Sequence, residues 1–164
     1  MNTRILMITS ELMPLAKAGG LADAVADISV ALSARGHDVR VIMPRYYFTD
    51  RRKLELLPVE VHLDPEGPIS VYRTEIGNSG AKVIVYLLDA EDAYGRDGIY
   101  GEENGTAFPD NAWRFSLLSR AALELSRSLG WKPHVFHSHD WPAGLTAAYL
   151  RQSPYKEWFG HSAT

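Results

Sequence analysis

The stretch RILMITSELMPLAKAGGLADAVADISVALSARGHDVRVIM, residues 4–43, decides the fold because it predicts a complete βαβ unit. Apolar residues dominate 4–9 and 38–43, and each run predicts a buried strand. Between them, residues 20–34 carry apolar side chains at helical spacing, and Gly36 stands where a helix C-cap glycine belongs. Two strands joined through one helix are parallel, with a right-handed crossover.

The rest of the chain extends this unit. Residues 59–63, 69–76 and 82–88 predict three strands that form a meander on one edge, after a loop at 44–58. A long acidic, glycine-rich loop at 90–108 precedes a helix that Asp110 caps and that runs to about residue 129. A strand at 134–137 and a helix at 141–150 follow. The alternation predicts an α/β sandwich with a mainly parallel sheet, whose ligands bind beyond the carboxyl ends of the strands.

Composition limits the classes of protein to consider. The 164 residues, 46% hydrophobic and 23% charged, suit one soluble domain. A net charge of -3 argues against a nucleic-acid-binding surface, and the absence of cysteine excludes disulfides and thiolate metal sites. We find neither a signal peptide nor an apolar run long enough for a membrane span. We therefore expect a cytoplasmic protein with no membrane or nucleic acid partner.

The segment ELMPLAKAGGLADAV, residues 11–25, indicates an anion site. Lys17 supplies a mobile positive charge, and Gly19 and Gly20 open the first helix, whose N–H groups and dipole favour an anion. The spacing fits neither the dinucleotide-binding glycine pattern nor the P-loop. The alternative is that the glycines only allow a tight passage from strand to helix, with Lys17 in solvent.

The segment HSHDW, residues 137–141, allows several interpretations. His137 and His139 share one face if the strand continues, as zinc ligands of hydrolases do, but no third ligand has matching spacing. Alternatively, one histidine is packed and the other caps the next helix. Asp140 is placed either to cap that helix or to accept a hydrogen bond from a sugar hydroxyl. We expect no bound metal.

The acidic loop also allows two interpretations. Its carboxylates include paired positions, as a glycosidase requires, although loop carboxylates are usually only solvated. Tyr94 and Tyr100 lie in the same loop, where exposed rings either stack on sugars or pack against the protein.

Four motifs together resemble the amino-terminal region of bacterial glycogen synthases and plant starch synthases. The opening SELMPLAKAGGLAD, residues 10–23, is similar to the family pattern S-E-x-x-P-x-x-K-[TV]-G-G-L-x-D. YGRDGIYG at 94–101 and FPDNAWRF at 108–115 resemble the family's next two motifs, and HSHDWPAGL at 137–145 resembles the fourth. They occur in the family's order and cover nearly the whole chain.

The resemblance implies a retaining glycosyltransferase that elongates an α-1,4-glucan from ADP-glucose. The family fold, GT-B, has two Rossmann-like halves with the active site in the cleft between them. Residues 1–164 resemble only the amino-terminal half, truncated before its last strands. We therefore expect ADP-glucose, α-1,4-glucan and the absent carboxyl-terminal domain as partners, no cofactor, and no activity of this fragment alone. The alternative is a stand-alone, non-catalytic module that binds glucan or a partner.

The resemblance also implies roles for individual residues. Lys17, with Gly19 and Gly20, corresponds to the lysine and glycines that bind the donor phosphates. Asp140 and Tyr100 match active-site positions that hold the sugar or the acceptor.

Other motif residues have less defined roles, and two positions depart from the family. Glu11, Asp23 and His139 belong to the expected substrate site. Ala18 replaces a threonine or valine, which we expect to matter little, and Pro142 replaces a histidine, which we expect to change the polarity of the cleft. The family's later T-x-H-N motif, with its essential histidine, does not occur in residues 1–164.

Overall fold

The computed structural model describes residues 2–164, whose six strands form one sheet. The strands are β1 (Arg4–Ile8), β2 (Asp38–Pro44), β3 (Glu55–Leu63), β4 (Gly67–Asn78), β5 (Ala81–Asp89) and β6 (Val135–Ser138). Their order across the sheet is β3-β4-β5-β2-β1-β6. Parallel pairs join β1 to β2, β1 to β6 and β2 to β5, while β3–β4 and β4–β5 are antiparallel. The predicted parallel sheet with a meander at one edge is confirmed.

Helices cover both faces of the sheet. They are α1 (Leu21–Ala34), α2 (Glu91–Tyr94), α3 (Asn111–Ser128), α4 (Thr146–Tyr149) and α5 (Tyr155–Phe159), with 3₁₀ turns at Arg51–Lys53 and Trp141–Ala143. The crossover through α1 moves from β1 to β2, and the crossover through α3 moves the other way, from β5 to β6. Because both are right-handed, the two long helices lie on opposite faces. No helix within residues 2–164 has the length and hydropathy to cross a membrane.

The central strands β1, β2 and β5 form the middle of the core. Their side chains point alternately to the two faces, and both faces are covered, so consecutive residues such as Leu6, Met7 and Ile8 are all buried. α3 contributes a buried face that includes Leu118 and Ala122. This covered sheet gives a rigid platform for the loops at the carboxyl ends of its strands.

Three local predictions are wrong. The loop predicted at 44–58 ends early, because β3 begins at Glu55 and includes Pro58 beside an irregularity in its pairing with β4; proline lacks the N–H of a regular ladder. The helix predicted at 141–150 is broken into a 3₁₀ turn and α4, as Pro142 and Gly144 are poor helix formers. Asp110 occupies the N-cap position of α3, but its carboxylate makes no capping bond and instead binds Arg96 at 3.0 and 2.9 Å.

Candidate active site

The candidate site lies where the order of the strands reverses. From β1 the chain moves to β2 on one side, and only later returns to β6 on the other side of β1. The carboxyl ends of β1 and β6 therefore border a crevice, the place where open α/β sheets bind ligands. Ser10 and Glu11 follow β1, and His139 and Asp140 follow β6. The structure thus brings together two of the predicted site segments, and the loop at 95–108 adds Tyr100.

Glu11 is the organising residue of this crevice. Its side chain is buried, and its Oε2 accepts hydrogen bonds from the backbone N–H groups of Ala18 (2.6 Å) and Gly19 (2.7 Å). Its Oε1 accepts a hydrogen bond from the Tyr100 hydroxyl at 2.7 Å. One carboxylate therefore fixes both the loop that carries Lys17 and the tyrosine. In this structure the Gly19 N–H is already bonded to Glu11, and the phosphate-binding role expected of Gly19 stays a prediction.

Gly20 fits the anion-site prediction better. Its φ and ψ of -71° and -14° are open to any residue, and a Cβ at Gly19 or Gly20 would meet nothing within 4 Å. Neither conformation nor crowding within residues 2–164 requires glycine here, which argues against the tight-passage alternative. Among those residues the Gly20 N–H has no acceptor. The open surface over the first turn of α1 lets a ligand approach the backbone closely.

Lys17 lies beside this surface in an ion pair with Asp23. Its Nζ is 2.6 Å from the Asp23 carboxylate, and the two side chains are 47% and 48% exposed. Such half-exposed pairs contribute less than about 1 kcal/mol. A phosphate at the start of α1 can therefore recruit the lysine at little cost.

Tyr100 is half-buried and makes two short hydrogen bonds. Its hydroxyl lies 2.7 Å from Ser10 Oγ as well as from Glu11. Burial raises the pKa of Tyr100 well above its ordinary value, and the hydrogen bond to Glu11 raises it further. The hydroxyl therefore stays protonated at neutral pH and donates to the carboxylate. The backbone carbonyl of Tyr100 accepts a hydrogen bond from Asn111 Nδ2 at 2.7 Å, which ties the residue to α3.

Arg114, which the sequence analysis did not single out, holds the loop that carries Tyr100 in place through buried hydrogen bonds. It is fully buried, and its guanidinium donates to the carbonyls of Ala93 (2.6 Å) and Ile99 (2.9 Å) and to Asn111 Oδ1 (2.6 Å). Aromatic rings rather than a carboxylate surround the charge, and burial lowers the pKa of Arg114. The sequence did contain a signal for this burial, because Arg114 lies one turn before Leu118 on the apolar face of α3.

Asp140 has a strained backbone. At φ 60° and ψ -175° it occupies a region that is almost restricted to glycine, and it is the one non-glycine residue with positive φ in the described chain. Its exposed carboxylate accepts a hydrogen bond from the Trp141 N–H at 2.7 Å. The predicted capping role is therefore confirmed, for a 3₁₀ turn. Strain of this kind clusters at functional sites, and the sugar-binding role of Asp140 stays a prediction.

Trp141 forms an aromatic wall with two neighbours. Its ring centroid lies 5.8 Å from that of Tyr100 and 5.0 Å from that of Phe115, yet the side chain remains 53% exposed. Pro142, in the same 3₁₀ turn, is buried. The change in cleft polarity expected from this proline stays a prediction. Tyr94 is fully buried and donates to the Arg114 carbonyl, so the packing alternative describes this ring.

His137 and His139 stack with ring centroids 4.2 Å apart. His139 Nε2 lies 3.4 Å from Met7 Sδ, and burial, with a smaller contribution from His137, lowers the pKa of His139 to about 4. Within residues 2–164 no three His, Asp or Glu side chains converge as metal ligands. The packed-histidine alternative therefore describes His139, and nothing in the described chain completes a zinc site around the pair.

Two carboxylates at the start of the acidic loop are paired with arginines. Asp89 and Glu91 both bind Arg45 and Arg51. These carboxylates are therefore held in ion pairs and do not form the opposed pair that a glycosidase uses.

Comparison with known proteins gives a consistent result. Residues 4–164 match the family model described as the starch synthase catalytic domain. The glycogen synthase of Treponema denticola is 48% identical over 164 residues, which cover 98% of this chain and 33% of that protein. Glycogen synthase 1 of Geobacter metallireducens is 46% identical over 143 residues, which cover 84% of this chain and 28% of that one.

A solved structure agrees with these relatives. The catalytic domain of starch synthase IV from Arabidopsis thaliana, bound to ADP and acarbose, superposes with a TM-score of 0.77 at 29% identity. The superposition covers 99% of this chain and 33% of that one. The chain thus spans about a third of the length of the curated relatives it matches.

Proposed function

This chain belongs to the starch synthase catalytic domain family, and we propose that it supplies the acceptor side of an enzyme that transfers glucose from ADP-glucose to the non-reducing end of an α-1,4-glucan, with retention. Its Rossmann-like sheet matches the amino-terminal part of a GT-B glycosyltransferase. The domain boundaries 1–164, the donor and the cytoplasmic location predicted from the sequence are parts of the proposal.

The set of side chains beyond the carboxyl ends of β1 and β6 is the observation that carries this function. At one end it offers the Lys17 ammonium and the open Gly20 amide, both suited to a diphosphate. At the other end it offers Tyr100, the strained Asp140 and the exposed ring of Trp141, which suit a sugar. A nucleotide sugar has both chemistries in one molecule, and the solved relative carries ADP and acarbose.

The chemistry assigns each end a task. Departure of ADP leaves an oxocarbenium-like glucosyl cation and a diphosphate, whose developing charge Lys17 and the start of α1 stabilise. Asp140 accepts hydrogen bonds from sugar hydroxyls, and Tyr100 orients the acceptor. Glu11 fixes the position of Tyr100 relative to the loop that carries Lys17, because it accepts hydrogen bonds from both. Exclusion of water requires a second wall, which we assign to the carboxyl-terminal domain.

The decisive experiment is a hybrid enzyme in which this chain replaces the aligned first third of the Treponema denticola glycogen synthase. We expect the hybrid to transfer labelled glucose from ADP-glucose to glycogen, and the isolated chain to transfer none. Lys17→Ala in the hybrid should reduce kcat/KM by at least about tenfold, the usual scale for a lost charge-assisted contact. A folded hybrid without transfer would contradict the proposal, as would transfer by the isolated chain.

The alternative is a non-catalytic glucan-binding module. Such a module would also bind glucan through the Tyr100–Trp141 surface, but Lys17 would have no role in its function. A hybrid that binds glycogen but neither binds ADP nor transfers glucose would favour it.

A further inference from the structure

A second cavity lies outside the crevice, on the α3 side of the sheet. Its volume is about 380 Å³, and it is lined by the β3–β4 turn, the segment after β5 and the first turns of α3. Asp89 at its edge ends β5, which is two strand spacings, roughly 10 Å, from β1. The transfer reaction described above uses none of its residues.

One wall of this cavity is an exposed and fixed tryptophan ring. Trp113 is 39% exposed, and its indole Nε1–H donates to Glu66 Oε1 at 3.2 Å. Arg120 Nη1 in turn binds both carboxylate oxygens of Glu66 at 3.1 Å. This chain of bonds fixes the orientation of the indole, so its apolar face is presented without a further loss of rotamer freedom.

The other walls are rigid and acidic. Pro65 precedes Glu66 in the β3–β4 turn, Pro68 follows at the start of β4, and Asp92 adds an exposed carboxylate without a partner in the described chain. Burial opposes ionisation of Glu66, but hydrogen bonds from its own backbone and Trp113, with the charge of Arg120, lower its pKa overall. Glu66 is ionised but paired with Arg120, and Asp89 and Glu91 are paired with Arg45 and Arg51, so the walls offer carboxylate oxygens as hydrogen-bond acceptors with little net charge.

An exposed indole face beside hydrogen-bond acceptors favours a ligand that has both an apolar face and hydroxyl donors. The C–H face of a pyranose packs on an indole, while its hydroxyl groups donate to carboxylates. A neutral sugar meets both requirements. We propose that the Trp113 cavity is an accessory site for a segment of α-1,4-glucan chain, distinct from the crevice; the identity of this polymer rests on the proposed function.

The experiment follows the tryptophan indole N–H signals of this chain by NMR while maltoheptaose is added. Trp113 reports the accessory cavity and Trp141 reports the crevice, and the Trp113 signal is assigned by its loss in Trp113→Leu. We expect both signals to shift on addition of maltoheptaose. Addition of ADP should leave the Trp113 signal in place.

Variants establish that the ligand binds on the ring. Trp113→Leu should weaken binding of this chain to glycogen in affinity electrophoresis by at least threefold, and Trp113→Phe should recover most of it. Tyr47→Leu removes a more exposed ring, 65% exposed, outside the cavity and should have no effect. Thermal unfolding checks that each variant is folded.

The outcomes separate the two proposals. If Trp141 shifts while Trp113 does not, or if Trp113→Leu binds glycogen as the parent does, the accessory site is refuted and the crevice function stands. If Trp113 shifts while Trp141 does not, the accessory site is supported and the glucan part of the crevice function fails.

Discussion

Lys17 is held in this structure by Asp23, a partner that competes with any phosphate for its charge. The pair is half-exposed on both sides, so it stabilises the fold by less than about 1 kcal/mol. The carboxylate also lies in the first turn of α1, where it reduces the attraction of the helix start for an anion. If the donor binds at the start of α1 as proposed, Asp23 should lower its affinity in both ways.

Removing the Asp23 charge should strengthen nucleotide binding. We expect Asp23→Asn in the hybrid enzyme to bind ADP about two- to fivefold more tightly, since 1 kcal/mol corresponds to about fivefold. Asp27→Asn is the matched control, because Asp27 lies one helical turn further along α1 and does not contact Lys17. Isothermal titration of ADP measures both. Equal effects of the two variants would show that the ion pair does not restrain the lysine.

His139 makes the stability of the chain depend on pH. Its pKa falls from 6.5 to about 4 on folding, so the unfolded chain binds a proton in the window between these values and the folded chain does not. Stability is therefore lost as pH falls from about 6.5 to about 4, by up to about 3 kcal/mol.

Urea unfolding of the wild type and of His139→Gln at about pH 7.5 and pH 4.5 tests this expectation. The variant should lose much less stability between the two pH values than the wild type. His137→Gln should keep most of the loss, because burial of His139 is the larger cause of the shift. A wild type with the same pH slope as His139→Gln would contradict the assignment.

At the scale of elements, the loop between α2 and α3 carries Tyr100 to the crevice. It has no regular secondary structure, so its shape depends on hydrogen bonds to Arg114 and Asn111 and on its glycines. Gly98 has a φ of 90°, and a Cβ there would overlap the carbonyl oxygen of Gly101. Gly105 has a similar φ of 85°, but a Cβ there would meet nothing within 4 Å.

These two glycines form a matched pair of variants. We expect Gly105→Ala to cost about 1–2 kcal/mol, the price of a left-handed conformation alone. Gly98→Ala should cost more and should also displace Tyr100 from Glu11, because the overlap forces the loop to move. In the hybrid enzyme, transfer activity should then fall at least about tenfold for Gly98→Ala and remain near the parent level for Gly105→Ala. Equal activities would show that the position of Tyr100 does not matter.

Sequence patterns predicted the elements whose formation depends mainly on residues that are close together in the sequence. The apolar runs of β1 and β2 and the helical spacing of α1 gave their bounds to within a residue or two, because both strands are buried on two faces. The first residues of β3 were missed, since Glu55 and Pro58 are unfavourable in a strand. Glu55 pairs with Arg73 because β4 is present, and Pro58 lies in the irregular part of the ladder.

The candidate site shows the same division. Lys17, Tyr100 and Asp140 were found from motifs, each within one segment. The contacts of Glu11 with Gly19 and Tyr100 join residues up to 89 positions apart, and no local pattern contains that information. The charge of Arg114 argued against burial, although its position on the face of α3 indicated it.

On the scale of the whole molecule, charge separates the two substrates of the proposed reaction. The chain has a net charge of -3, so its overall field repels ADP, and only the local charge of Lys17 and the start of α1 attract it. Glucan is neutral and, in the proposed site, would be held by rings and hydrogen bonds, which salt leaves almost unchanged. The two ligands should therefore respond differently to ionic strength.

This contrast gives a prediction about the salt dependence of the two ligands. Between about 0.05 and 0.5 M NaCl the Debye length falls from roughly 14 to 4 Å, so contact attractions weaken and long-range repulsion disappears. For the hybrid enzyme with Lys17, we expect ADP affinity to fall severalfold over this range, because the short-range attraction dominates. With Lys17→Ala the attraction of the α1 start remains but that of the ammonium is lost, so the fall in ADP affinity should be clearly smaller than in the parent. Maltoheptaose affinity, measured on the same samples, should stay constant. If Lys17→Ala keeps the full salt dependence of the parent, the attraction comes from elsewhere, and Lys17 does not bind the diphosphate.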